Sequence, residues 1–157
     1  MSRRQAREIA LQCLFHIDIG RGDPDTALFQ AFSREHEGEG EPGELSDKDA
    51  RYTRDLVQGT WERREALDQV IAEFAKEWAV DRMAAVDRNI LRMAIYEIKH
   101  QEDVPDGVAV DEAVELAKRF ASAESSKFIN GILGSVIRGL KQEAATPEQA
   151  PANVDQP

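Results

Sequence analysis

Residues 84–100 read AAVDRNILRMAIYEIKH. Val86, Ile90, Leu91, Met93, Ala94, Ile95 and Ile98 leave little of a helical circumference polar, so the segment predicts a helix touched by neighbours on several sides. Such a helix sits at the centre of a bundle. Outward from it, the other apolar stretches also repeat at helical spacing. Ala6, Ile9, Ala10, Cys13, Leu14 and Ile17 form one face of a first helix, with Ser2 and Gln5 as a capping box and Gly20 as the stop. Asp23 and Pro24, a cap and a first-turn proline, open a second helix through Leu28, Phe29 and Phe32. Ser46 with Asp49 restarts helix, striped by Tyr52, Leu56, Val57 and Trp61, and Gly59 predicts a bend or break near GTWERRE. Leu67, Val70, Ile71, Phe74 and Trp78 carry the next.

Beyond the central segment, a turn around Pro105 leads into VAVDEAVELAKRFA and SSKFINGILGSVIRGL, two further amphipathic helices. In the second, Asn130 and Gly131 suit close helix contact. Val108-Ala-Val110 is too short to build a sheet. The expected fold is therefore all-α, about seven helices in one domain over residues 1–143. The acidic, glycine-rich EHEGEGEPGEL at 35–45 is expected as a solvated loop, and the polar, proline-rich 144–157 as a disordered tail.

The totals narrow the function. The chain has 157 residues, 41% hydrophobic and 32% charged, with a formal net charge of −10. One cysteine, Cys13, forms no internal disulfide and fits a reducing, cytoplasmic compartment. No apolar run approaches the ~20 residues of a membrane span, and polar residues interrupt any signal-peptide core near the N-terminus. His16, His36 and His100 lie far apart, without neighbours at metal-ligand spacing, so no metal is expected. No glycine-rich phosphate loop or nucleophile elbow is present, no cofactor is implied, and Cys13 lies on an apolar face as a core residue. An enzyme is not expected.

Against the acidic total stands the front of the chain, SRRQARE, where three arginines occupy the start of a helix. The helix macrodipole favours acids there, so the placement calls for a negative partner outside the helix. On a helical wheel Arg4, Arg7, Leu11 and Phe15 share a strip well over a right angle from the face centred near Cys13. Arginines followed by an aromatic along one strip are able to grip phosphate and stack a base, most readily of single-stranded RNA. The strip alone reads first as solubilising arginines, with Leu11 and Phe15 packed under a neighbouring helix, the usual fate of such a stripe. A second candidate is ESSKFING, where Lys127 and Phe128 lie in the first turn of the last helix, beside free backbone N–H groups.

Four segments in order, RRQAREIALQCLF, VDRNILRMAIYEI, VPDGVAVDEAVELAKRF and SSKFINGIL, resemble the bacterial NusB family of transcription antitermination factors over about residues 3–140. The resemblance implies an all-helical, two-subdomain fold. It also implies binding of the single-stranded boxA element of ribosomal RNA leader transcripts, together with the small-subunit ribosomal protein called NusE. Other Nus factors and RNA polymerase would be engaged indirectly, with no membrane partner. By this resemblance the RNA-binding residues are Arg3, Arg4, Arg7, Phe15, Arg92, Lys127 and Phe128. At Phe15 the family's tyrosine hydroxyl is missing. Asp87 falls where the acid facing NusE is expected, and Glu124 stands where some members carry aspartate. Two rival readings accompany it: a non-enzymatic helical protein-interaction module, and the NusB-like domain of ribosomal RNA methyltransferases. The latter requires a following cofactor-binding domain, which is not expected in a chain ending at Pro157.

Overall fold

A computed structural model describes residues 3–37, 46–76 and 78–145. Its order is α1 (Arg3–Gly20), α2 (Pro24–Glu37), α3 (Asp47–Glu62), α4 (Arg64–Phe74), α5 (Ala85–His100), α6 (Asp106–Phe120) and α7 (Ala123–Ala145), with one 3-10 turn, Val80–Arg82, before α5. No strand occurs among the described residues. The all-α expectation holds.

Helix α5 is the hub. Every residue from Asn89 to Glu97 is buried, and α1, α3, α4, α6 and α7 all pack on it. Ile90, Leu91, Met93 and Ile95 are fully enclosed, each contributing on the order of 2 kcal/mol relative to exposure. Helices α1–α3 pack on one another, α4–α7 form a second group around α5, and contacts of α1 and α3 with α5 and of α3 with α4 join the two. Starts are set locally. Asp23 Oδ1 accepts the Thr26 N–H at 2.9 Å, Ser46 Oγ accepts the Asp49 N–H at 3.1 Å, and Ser122 Oγ accepts the Ser125 N–H at 3.0 Å. Each satisfies an orphan donor of the first turn.

Several boundaries differ from expectation. At the end of α1 the left-handed residue is Arg21 (φ 58°), one position beyond Gly20. The expected break near GTWERRE falls at Arg63, between α3 and α4, with Gly59 itself inside α3. A Cβ on Gly59 would land on the Tyr96 ring, so the glycine serves the close approach of α3 to α5 rather than a break. The corresponding contact in α7 is Gly139 against Phe74, whereas Gly131 has nothing within 4 Å. Helix α4 stops at Phe74, leaving Trp78 outside it and 58% exposed. Helix α2 extends to Glu37, three residues into the expected loop. Ser2, loop residues 38–45 and tail residues 146–157 lie outside the described residues.

Candidate nucleic-acid interface

The negative partner demanded by the front arginines is inside the molecule. Arg3 Nη2 donates to Asp103 Oδ2 at 2.8 Å, and its guanidinium lies 4.2 Å from the Tyr52 ring centroid. Arg4 forks onto Glu112 of α6, Nε to Oε1 at 3.1 Å and Nη2 to Oε2 at 2.8 Å. Arg7 Nε donates to both oxygens of Glu97 at 3.0 Å, and the Tyr52 hydroxyl donates to Glu97 Oε2. One rung further along, Arg119 Nη1 donates to Glu8 Oε2 at 3.0 Å. Arg4 pairs with Glu112 and Glu8 with Arg119, so ion pairs bridge α1 and α6 in the same order along the two helices.

Burial divides these arginines. The Arg4 side chain is 57% exposed and that of Arg7 only 5%. Leu11 is packed, as one reading of the strip had it, whereas Arg7 is buried rather than on the surface, because α1 is enclosed by α2, α3 and α5 over a wider arc than its apolar stripe. Burial works against the Arg7 charge, but its hydrogen bonds to Glu97 and the charges of Glu97 and Glu112 outweigh that and strengthen its hold on the proton. The Arg4 hydrogen bond draws Glu112 below the usual carboxylate range against a smaller opposing effect of burial. Burial, with the Glu97 charge and hydrogen bond, raises the Tyr52 phenol well above its ordinary value and keeps it a donor.

A second feature lies where α5 and α7 begin. Trp78, Arg82, Met83, Asp87, Glu124, Ser125 and Phe128 line a hollow of about 230 Å³. Phe128 meets Trp78 edge to face with centroids 6.1 Å apart. Asp87 Oδ2 accepts the Ser125 hydroxyl at 3.2 Å, while Asp87 Oδ1 is buried with no hydrogen-bond partner among the described residues. Lys127 is exposed beside it in sequence and Phe128 half-buried. The hollow offers an aromatic corner for a flat apolar group and an acidic edge for a donor.

The remaining candidate residues stand apart from both. Arg92 is buried and held by Asp68, with Nε to Oδ1 and Nη2 to Oδ2 both at 2.7 Å. Asp18 takes Arg88 at 2.9 Å, Asn89 at 3.0 Å and Arg92 at 3.2 Å. Burial pushes the Asp18 carboxyl up, but the hydrogen bonds and charges of these partners prevail and lower it. Arg92 therefore reaches a ligand only at the rim of a cleft that it shares with Asp68 and Asp81. Phe15 is half-buried, edge to face with His16.

Thus the structure brings Arg3, Arg4 and Arg7 into one cluster and Asp87, Glu124 and Phe128 into another. It does not join Arg92 to either by a direct contact. Trp78 and Arg82 also line the hollow, and sequence reasoning did not place them there. Trp78 lies four residues after Phe74, in phase with Leu67 and Ile71, so its apolar spacing carried no signal that the helix had ended. Among the described residues, no helix is long and apolar enough to cross a membrane, and no cluster of His, Cys, Asp and Glu is arranged to hold a metal ion.

Comparison with known proteins places these features in a lineage. Residues 4–138 match the NusB family. The transcription antitermination protein NusB of Symbiobacterium thermophilum is 60% identical over 148 residues, 94% of this chain and 97% of that protein. That of Pelotomaculum thermopropionicum is 52% identical over 90% of this chain and 93% of its own length. The solved structure of T. maritima NusB superposes with a TM-score of 0.77 at 30% identity, covering 88% of this chain and 92% of that one. A structure of antitermination factors NusB and NusE in complex with dsRNA superposes with a TM-score of 0.75, covering 88% of this chain and 99% of that one. Its 23% identity makes it a likeness of fold.

Proposed function

The chain belongs to the NusB family, and from that premise we propose that it is a cytoplasmic transcription antitermination factor acting by binding rather than catalysis. Its RNA ligand is the boxA element of ribosomal RNA leader transcripts, bound jointly with NusE. The observation that carries this reading is the family match, which spans Arg4 and Arg7 of the arginine cluster and the Lys127-Phe128 corner.

The roles divide by exposure. Arg3 and Arg4 supply charge to phosphates, and Lys127 adds charge at the other end. Phe128 and Phe15 offer ring surface to splayed bases, which single-stranded RNA alone presents freely. Arg7 and Arg92, both buried and paired, hold the helices that carry these groups. Asp87 and Glu124 form the acidic edge offered to NusE, and a chain of net charge −10 gains association speed from a basic partner.

The test is a titration of boxA-containing RNA and a scrambled RNA of equal length, with and without NusE. The expected result is preference for boxA, strengthened when NusE is present. Equal affinity for both RNAs in both conditions would overturn the reading and favour a protein-interaction module.

A further inference from the structure

From the seam between α1 and α6 we infer that Glu112 sets the RNA affinity of this protein by occupying the arginine fork that a phosphate would take. The inference deepens the RNA-binding reading above and rests on it.

Three observations carry it. The Arg4 fork faces outward, more than half exposed, yet its Nε and Nη2 are both engaged by the two Glu112 oxygens. A guanidinium fork takes one bidentate oxyanion at a time, carboxylate or phosphate. RNA therefore displaces Glu112 from that fork to use it. Only the Arg4 side of the pair is exposed, so solvent screens it and exchanging its partner costs little folding energy. Glu112 itself is mostly buried, 16% exposed, and lies 3.7 Å from Arg7 Nη1, so when Arg4 swings away the carboxylate retains a cation nearby and remains in place. Arg7 meanwhile keeps its bonds to Glu97. The exchange is local and reversible.

Competition of this kind leaves a signature in salt. A phosphate neutralised by arginine releases a counterion, with a slope near −0.7 per contact for single strands. In the wild-type protein Glu112 is then left with Arg7 alone, at 3.7 Å, and draws part of a solution cation at the same moment, which flattens the net slope.

The experiment compares wild type, Glu112→Gln, Glu112→Asp and Glu115→Gln in titrations of the boxA oligonucleotide across a salt series, each variant's fold checked by melting. Glu115 is half exposed on the same helix and pairs with Lys118 instead, so its variant reports the general effect of one lost charge. Glu112→Gln should bind about two- to fivefold more tightly with a salt slope steeper by up to about 0.7. Glu112→Asp, one methylene too short for the fork, should fall between it and wild type, and Glu115→Gln should stay close to wild type. If wild type binds the RNA and both Glu112 variants match it, or match Glu115→Gln, the competition is refuted while the RNA-binding reading stands. If wild type shows no RNA binding, both fall together.

Discussion

Two regions of this molecule handle charge in opposite ways. At the front of α1 every arginine meets a carboxylate, and the Arg7–Glu97–Tyr52 group does so in the interior. At the start of α5 and α7 the surface opens into a hollow with an exposed tryptophan, a half-buried phenylalanine and an aspartate oxygen left without a partner among the described residues. The seam is paired throughout, buried at Arg7 and exposed at Arg4; the hollow is open and unpaired. A basic motif is thus no measure of free positive charge, and burial within the seam separates the arginine that holds the fold from the one within reach of a ligand.

The largest effect should come from breaking the seam at its centre. Glu97→Ala leaves Arg7 charged and buried and removes the Tyr52 acceptor, so the loss should reach about 3–5 kcal/mol. Denaturant unfolding measures it, and a loss below about 1 kcal/mol would mean that water reaches the pair. In the hollow the expectation inverts. Trp78→Ala should alter stability by no more than about 0.5 kcal/mol while weakening the complex with RNA and NusE by about 1–3 kcal/mol, the scale of one lost stacking partner. Wild-type binding by that variant would remove the hollow from the interface.

Acid sharpens the contrast more gently. Asp18 and Glu112 are both lowered in the folded protein by arginine partners. Their folded values lie below the unfolded ones, near 4, so their contribution is present at neutral pH and disappears as pH falls through that region and below. Melting temperature should therefore decline from about pH 5 downward, and Asp18→Asn should flatten part of that decline. An identical pH profile for the variant would show that Asp18 is not a source of acid sensitivity.

How much of this was legible follows from where the information resides. The caps at Asp23 and Ser46 are local, within three residues of the groups they satisfy, and both appear as expected. The central position of α5 follows from an apolar circumference and needs no partner to be named. Arg7 was illegible for the opposite reason: its acid lies 90 residues away, and helical phase alone put it on the same strip as Arg4. The break near Gly59 was legible and falls at Arg63, but the purpose of the glycine was not, because the ring packed against it belongs to α5. Trp78 was assigned to a stripe that had already ended at Phe74.

The central claim is that three residues of α1 separate a ligand-facing arginine from a fold-holding one. Parallel melting and boxA titration of Arg4→Glu and Arg7→Glu test it most directly. Arg4→Glu should melt within about 2–4 °C of wild type, the shift for about 1 kcal/mol in a domain of this size, and bind RNA several-fold more weakly. Arg7→Glu should melt about 10 °C lower, because it sets a carboxylate against Glu97 in the interior. An Arg7→Glu protein that melts with wild type and loses RNA affinity as Arg4→Glu does would contradict the account.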